Sequence, residues 1–247
     1  MDTGKDVRVL GVVPTVHVAT HYNNREEVGI IERENSPIIG LKRFNNWVKS
    51  AVISMGTKTM SRSIRVMDLG CGKGGDLKKW DKRGLSFMLM VDIASVSVEQ
   101  ARARFEESNF KWAAHFYSFD CFSVPIGDAV DAEILGKPFD CVSLQFCMHY
   151  GWDTEERART MLDNISRYLR VGGVFVATIP DSETIYARLN AQPDPEALSF
   201  GNSKYRVTFN QRHPPNDLGF GHQYSFWLED AVDDVPEYVI PWDKLVQ

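Results

Sequence analysis

The chain has 247 residues, of which 43% are hydrophobic and 25% are charged, and its formal net charge is −5 at pH 7. This composition is typical of a globular α/β domain with a sizeable core, and the acidic balance argues against a general nucleic-acid-binding protein. No apolar run reaches the roughly 18 residues of a membrane span, so we expect no membrane partner. The 4 cysteines form no C-x-x-C pair, so we predict reduced thiols and no metal site.

The first fifty residues read differently from the rest of the chain. Residues 1–20 show no clear period and are expected to form a loose arm. Residues 21–53 are predicted to form helices that are interrupted at residues 35–37, an Asn-Ser-Pro sequence. Four apolar side chains fall on one stripe of the second helix: Phe44, Trp47, Val48 and Ala51.

Apolar runs then alternate with helical patterns. The predicted strands are residues 65–69, 87–93, 113–119, 139–145 and 174–179, and the predicted helices are 76–82, 96–107 and 155–169. Continuous apolar strands that alternate with helices predict a mostly parallel sheet with helices on both faces. After Pro180 the rhythm breaks, and short strands at 205–209, 224–228 and 238–240 predict a small β-rich insertion after strand five.

A glycine-rich loop follows the first predicted strand. Gly70, Gly72 and Gly75 fit the pattern G-x-G-x-x-G, and Asp92 lies 22 residues after Gly70, where an acid accepts hydrogen bonds from a ribose diol. NAD and S-adenosylmethionine both satisfy this much. Two further acids flank the glycines, Asp68 before them and Asp76 after them. They would repel a pyrophosphate and attract a sulfonium and an ammonium group, which favours S-adenosylmethionine.

Two further groups of charged residues bear on the ligand. Asp120 follows the third predicted strand and is placed to accept from the adenine amino group. Basic residues also cluster in sequence near the glycine loop: Lys42, Arg43, Lys49, Lys73, Lys78, Lys79, Lys82 and Arg83. They form either a local basic funnel for an anionic substrate or ordinary solvated helix faces, and the sequence leaves both open.

Several motifs resemble those of the eukaryotic mRNA cap guanine-N7 methyltransferases, and the likeness runs from His21 to Leu245. The motifs are Phe44–Lys49, Asp68–Leu77, Val91–Ala94, Gln145–Tyr150, Ile179–Ser182, Trp227–Asp230 and Val235–Tyr238. The resemblance implies a Rossmann-like class I S-adenosylmethionine-dependent methyltransferase, with an arm at 1–20, a catalytic domain at 21–247 and a cap-binding insertion at 181–240. The family's domain continues through a helix and two strands, so we expect the C-terminal strands to be missing and the domain to be C-terminally incomplete.

The resemblance also implies the residues that bind each substrate. Those expected to bind S-adenosylmethionine are Lys49, Asp68, Gly70, Gly72, Asp92, Asp120, Gln145 and Tyr150. Those expected to bind the cap and the RNA are Asn45, Asn46, Lys73, Lys79, Arg104, His149 and Glu237. Guanine N7 has a free lone pair, so no catalytic base is needed, and orientation is expected from Phe146, His149, Tyr150 and Glu237.

The implied function is methyl transfer from S-adenosylmethionine to N7 of the terminal guanine of GpppN-capped mRNA, by in-line displacement. The expected partners are the 5′-capped mRNA and the RNA polymerase II C-terminal tail or other capping factors, and the expected location is the nucleus. Two alternatives stay open: a methyltransferase acting on another acceptor, and an inactive scaffold that binds capped RNA without turnover. A nicotinamide dehydrogenase is a more distant reading, because Asp68 and Asp76 oppose a pyrophosphate.

Overall fold

The computed structural model describes residues 13–24, 34–213, 217 and 219–247 of the chain. Its central unit is a five-stranded sheet in the order β3-β2-β1-β4-β5, in which every neighbouring pair is parallel. These strands are β1 Ile64–Leu69, β2 Leu85–Asp92, β3 Ala113–Ser118, β4 Phe139–Gln145 and β5 Leu169–Thr178. The strand order reverses between β1 and β4, which is the position where ligands bind in open α/β sheets.

Helices precede, connect and follow these strands. The α-helices are α1 Val13–Asn23, α2 Ile39–Thr57, α3 Leu77–Arg83, α4 Ser95–Glu107, α5 Ile126–Ala129, α6 Ala132–Leu135, α7 Glu155–Tyr168, α8 Ser182–Asn190 and α9 Trp242–Leu245, with a 3₁₀ turn at Met148–Gly151. Within the described ranges, no helix combines the length and the apolar character needed to cross a membrane.

Alternation along each strand divides the core between the two faces of the sheet. Met67 packs into one cluster with Met161 of α7, whereas its neighbour Val66 packs into another with Trp80 of α3 and Ala101 of α4. Because successive side chains of a strand point to opposite faces, the continuous apolar run of β1 supplies both clusters. The predicted parallel sheet with helices on both faces is confirmed.

The N-terminal region differs from the expectation of a loose arm. Residues 13–20 belong to α1, while residues 1–12 lie outside the described residues. The α1 sequence has no continuous apolar stripe, and the helix is held by its packing against α4 and β9, with Val18 buried. The predicted break at residues 35–37 is confirmed, because α2 begins at Ile39. Residues 25–33 of the predicted helical region lie outside the described residues.

The predicted stripe on α2 is a helical face, but it is not a core face. Phe44 is 58% exposed and Trp47 63% exposed, and Val48 and Ala51 are only half-buried. The buried side of α2 carries Ile53 instead, which packs against the sheet. Apolar spacing alone located the helix and did not identify the side that it buries.

A second, antiparallel sheet follows β5, in the order β6-β7-β8-β9. Its strands are β6 Ser199–Gly201, β7 Tyr205–Phe209, β8 Gln223–Leu228 and β9 Val232–Tyr238, and it packs against Ile185 and Leu189 of α8. This confirms the predicted β-rich segment. The strand predicted at 238–240 was wrong, because the chain pairs with β8 over Val232–Tyr238. Pro236 lies within β9, and an edge strand tolerates a proline.

The fifth strand also starts earlier than predicted. β5 begins at Leu169 rather than at residue 174, immediately after α7 ends at Tyr168. Leu169 pairs with Phe139, and an irregular register between Phe139 and Cys141 accommodates the extra residues before Val174 pairs with Cys141. Gly172, with a φ of 74°, lies within this irregular stretch. Gly172 and Gly173 therefore belong to a bulge-like interruption inside a longer strand.

Candidate functional site

The glycine loop leaves β1 at the point where the strand order reverses. Gly70 has a φ of 73° and Gly74 a φ of 70°, conformations that are rarely open to other residues. A Cβ at Gly70 would lie 2.5 Å from the sulfur of Cys147, and a Cβ at Gly74 would lie 3.2 Å from the Cα of Ala101 in α4. The glycines therefore let the loop pack tightly between α4 and the segment after β4.

Three buried carboxylates surround this loop. Asp68 at 2%, Asp76 at 8% and Asp92 at 9% are nearly inaccessible. Burial, followed by the neighbouring Asp76, raises the pKa of Asp68 to about 7, and hydrogen bonding to Ser143 opposes that rise. Burial also raises the pKa of Asp92, although backbone hydrogen bonds oppose it. The loop is therefore a poor site for an anion and a good one for a cation.

Asp92 stands at the end of β2 and supports the loop directly. Its Oδ2 accepts from the amide of Gly72 at 2.7 Å, and its Oδ1 accepts from the amide of Ala94 at 2.9 Å. Each carboxylate oxygen retains a further lone pair. Asp92 can therefore hold the loop and still accept hydrogen bonds from a diol.

A charged network joins residues predicted to bind S-adenosylmethionine to residues predicted to bind the cap. Lys49 donates to Asp76 at 2.9 Å, and Lys79 lies 2.7 Å from the same carboxylate. Lys79 also donates to the side-chain oxygen of Asn46 at 3.0 Å and to the carbonyl of Gly75 at 3.1 Å. α2 and α3 are thereby tied to the loop, and the two predicted groups of residues are neighbours.

Asp120 lies after β3 and already has hydrogen-bond and ion-pair partners within the protein, which the sequence did not predict. It accepts from the amide of Phe122 at 2.9 Å and from the hydroxyl of Ser123 at 2.7 Å. It also forms a buried ion pair with Arg157 of α7 at 3.1 Å, and the same guanidinium binds Asp153 at 2.8 Å. Sequence analysis did not identify Arg157, because its partner lies 37 residues away.

Gln145 and Tyr150 line the carboxyl end of β4. The Gln145 amide donates to Ser143 and to the carbonyl of Val176, both at 3.3 Å, and its oxygen accepts from Thr178 at 3.2 Å. Its side chain is therefore fixed in the sheet before any ligand binds. Tyr150 lies in the region bounded by the glycine loop, the 3₁₀ turn and Glu237 of β9, which is called the cleft below, and its hydroxyl lies 3.0 Å from that of Tyr22 in α1.

A second cluster of polar groups, made of residues from the 3₁₀ turn, β8 and β9, is almost fully buried. Glu237 is only 4% exposed, and its carboxylate accepts from Tyr224 at 2.8 Å and from Tyr150 at 3.4 Å. Burial and the neighbouring Glu237 hold the pKa of Tyr224 well above its usual range. Burial likewise raises the pKa of Tyr150. Both phenols therefore remain protonated donors towards the carboxylate.

His149 is the least satisfied group of this cluster. Its side chain is 3% exposed, and neither ring nitrogen has a hydrogen-bond partner. Its Nε2 lies 3.5 Å from Glu237 Oε1, outside hydrogen-bonding geometry, and its ring lies 4.3 Å from that of Tyr150. A buried imidazole without partners costs free energy in the folded state. This is expected where a ligand completes the hydrogen bonds.

Phe146 stands at the rim of the same cleft. It has a φ of 57° and is 36% exposed. Its backbone amide donates to two oxygens of Thr178, the carbonyl at 3.1 Å and the side-chain hydroxyl at 3.0 Å. A left-handed backbone is unusual for an aromatic residue and is often retained at functional positions. The strain presents the ring at the edge of the cleft.

The remaining predicted cap residues lie on the glycine loop and on two helices. Lys73 belongs to the loop, and Arg104 lies about one turn after Ala101 on α4, where Ala101 packs against Gly74. Asn45 lies on α2 beside Asn46. The structure brings Lys49, Lys79 and Asn46 together around Asp76, and it brings His149, Tyr150 and Glu237 together in the second cluster. Their assigned roles towards each ligand stay predictions.

The cleft contains residues that the sequence did not predict. Tyr22 of α1 contacts Tyr150, which lies 128 residues later in the sequence. Tyr224 of β8 donates to Glu237, which lies 13 residues later. The alternation of Tyr224, Phe226 and Leu228 along β8 was a usable signal, because it indicates side chains on one face of the strand. Nothing in the local sequence around Tyr22 indicated its partner.

Solved structures resemble this fold at low sequence identity. The crystal structure of Streptomyces venezuelae DesVI aligns with a TM-score of 0.52 at 13% identity, over 90% of this chain and 88% of that one. The CcbJ methyltransferase from Streptomyces caelestis aligns with a TM-score of 0.50 at 10% identity, over 80% of this chain and 74% of that one. These likenesses support the fold assignment.

Curated proteins are similar at much higher identity. Proteins named mRNA cap guanine-N(7) methyltransferase are 47% identical in Cryptococcus neoformans var. neoformans serotype D, 46% in Schizosaccharomyces pombe and 43% in Saccharomyces cerevisiae. The matches cover 93%, 92% and 92% of this chain, and the chain spans 37%, 62% and 54% of those relatives. The model of the mRNA (guanine-N(7))-methyltransferase domain matches residues 13–247. The chain therefore belongs to the mRNA (guanine-N(7))-methyltransferase domain family.

Proposed function

We propose that the chain transfers a methyl group from S-adenosylmethionine to N7 of the 5′-terminal guanine of capped mRNA, converting GpppN to m7GpppN. The observation that carries the proposal is the buried His149, which has no hydrogen-bond partner and lies 3.5 Å from the buried carboxylate of Glu237. These two groups match a flat ligand that has both acceptors and donors. Family membership supports guanine as that ligand.

The charges of the two parts of the cleft fit the two substrates. The part formed by Asp68, Asp76 and Asp92 is acidic and buried, and a bound cation would offset the repulsion among these carboxylates. A pyrophosphate would increase that repulsion, so the acids favour S-adenosylmethionine over a dinucleotide. Lys73 and Arg104 are the cations that we expect to bind the triphosphate bridge.

The chemistry asks for orientation and charge placement. S-adenosylmethionine supplies the methyl group on a sulfonium, and guanine N7 is already a free lone pair, so the chain need not remove a proton. Glu237 is held by Tyr224 and Tyr150 and can accept from guanine N1–H and the exocyclic amine. Its negative charge also stabilises the cation that develops on the base. His149 can donate to guanine O6.

The test is methyl transfer from labelled donor to GpppA- and GpppG-capped RNA. We expect the label at N7 of the cap guanine, and little transfer to uncapped RNA. The assay is run on this chain and on a protein extended to the length of its relatives, with donor affinity measured by calorimetry in parallel. Donor binding without transfer to capped RNA in either protein would contradict the proposal and favour the scaffold. Transfer to other acceptors alone would favour the second alternative.

Further partners and the location in the cell rest on the family resemblance alone. We propose the RNA polymerase II C-terminal tail or other capping factors as protein partners, and the nucleus as the location. Co-precipitation with phosphorylated tail peptides, and imaging of the tagged full-length protein, would test these two points.

A further inference from the structure

A cluster of potential metal ligands lies outside the cleft. His213 and Asp217 belong to the connection between β7 and β8, and His222 immediately precedes β8. One nitrogen from each histidine and one carboxylate oxygen from the aspartate all lie within 4.8 Å of one another. Sequence analysis considered only cysteine pairs as a zinc signal and expected no metal. We propose that His213, Asp217 and His222 bind one divalent metal ion of the zinc class.

The ligand atoms are available for this role. His222 is 2% exposed, and its Nε2 has no hydrogen-bond partner, although Asp217 Oδ2 lies 3.1 Å away. The Nε2 of His213 is likewise buried without a partner. Asp217 uses Oδ1 to accept from the amide of Gly219 at 2.9 Å, which leaves Oδ2 for the site. Two imidazoles and one carboxylate form a known ligand set for zinc, in which water fills the fourth position.

The outer contacts fix one ligand and leave another adjustable. The Nδ1 of His222 lies 2.6 Å from the hydroxyl of Tyr186 in α8. A partner on the second ring nitrogen orients many metal-binding histidines. His213 stacks on His222 with ring centroids 3.8 Å apart. Ligand atoms around a tetrahedral zinc ion lie about 3.3 Å apart, from bonds of about 2.0–2.1 Å, so the partly exposed His213 ring must turn towards the ion.

The position of the cluster indicates a structural role. The carbonyl of His222 accepts from the amide of Val239 at 3.0 Å, just beyond the end of β9. Gly221 donates to the carbonyl of Trp152 at 3.1 Å. An ion bound by all three ligands would therefore link His213 and Asp217 of the β7–β8 connection to His222 at the start of β8. The inference does not depend on the proposed methyl transfer, and catalysis is not its readout.

The test is a zinc titration of untagged, chelator-treated protein. Calorimetry and competition with a chromophoric zinc chelator give stoichiometry and affinity, and melting gives stability. We expect one equivalent of zinc, and a rise in melting temperature of about 5–10 °C at a zinc concentration about 100 times the dissociation constant. Cobalt in place of zinc should give the visible absorption of a four-coordinate ion.

Variants decide whether these residues are the ligands. His213→Gln and Asp217→Asn change partly exposed positions. Each should abolish the tight binding of one equivalent of zinc without altering the circular dichroism of the metal-free protein. Tyr186→Phe should keep the stoichiometry and weaken affinity by about 10- to 100-fold. His17→Gln is the matched control, because His17 is exposed on α1, and it should bind zinc like the parent. Equal binding by His213→Gln and Asp217→Asn would place the ion elsewhere and overturn the proposal. A parent that binds no zinc would also overturn it.

Discussion

Glu237 offers the sharpest test of the cap pocket. The change Glu237→Gln keeps the size and shape of a side chain that is 4% exposed, and Tyr224 can still hydrogen-bond to the amide. The charge is lost, and one side of the carboxylate becomes a donor that opposes the donors of guanine. Hydrogen bonds to charged groups contribute about 1.5–3 kcal/mol, so the rate of cap methylation should fall by about 10- to 100-fold.

The assay is a double cycle of parent and variant against guanine and inosine caps. Inosine lacks the exocyclic amine, so it should already be a poor substrate for the parent and should lose less on mutation. Donor affinity should barely change. Asp233→Asn is the control, because it removes the same charge from an exposed position of β9. Melting curves of each variant show whether the second sheet remains folded.

Equal losses on the two caps would refute the reasoning. Glu237 would then affect the rate through the general charge of the pocket or through stability, without reading the guanine edge. Tyr224→Phe separates these cases further. It removes the 2.8 Å hydrogen bond to Glu237 and leaves the charge, so it should weaken guanine discrimination in the same direction and by a smaller factor.

Three further predictions concern the donor and the phosphates. Asp92→Asn should weaken the affinity for S-adenosylhomocysteine, measured by calorimetry, by at least about tenfold. Unchanged affinity would contradict the prediction that Asp92 binds the ribose diol. Lys73→Ala and Arg104→Ala should weaken the affinity for capped RNA more than the affinity for the methyl donor, with an effect that shrinks as salt rises. Lys137→Ala, at an exposed position just before the amino end of β4, should leave RNA affinity unchanged. Because the pKa of Asp68 is raised to about 7, the ionised form that attracts a cation accumulates only as pH rises towards that value. Donor affinity relative to Asp68→Asn should therefore increase up to about pH 7 and then level off, and a constant ratio from pH 5.5 to 8 would refute this.

The central sheet could be predicted because its signals are local. β4 was predicted with its observed bounds, and β1 within one residue, since buried parallel strands are continuous apolar runs that end at turn residues. The glycine loop and Asp92 followed from spacing within one strand–loop–helix unit. Their position at the strand reversal then brought Asp68 and Asp76 into the same cleft.

The parts that could not be predicted depend on contacts between distant segments. α1 lacks an apolar stripe and is held by α4 and β9. The bounds of β9 follow from its pairing with β8, in which Tyr224 lies opposite Glu237. The predicted strand at 238–240 left Glu237 out, whereas the fold places it within β9 and buries it beside Tyr150 and His149. Only contacts between distant segments determine its environment.

That packing suits the proposed binding of two substrates of opposite charge by an acidic chain. The carboxylates of the glycine loop are buried, so they act strongly on a charged ligand within this low-dielectric site. Lys49 and Lys79 both pair with Asp76. A cation bound at the loop would relieve the repulsion among the acids, and Lys79 could pair with a phosphate. Replacing Asp76 should therefore disturb both substrates, because it removes the group that holds both lysines in place.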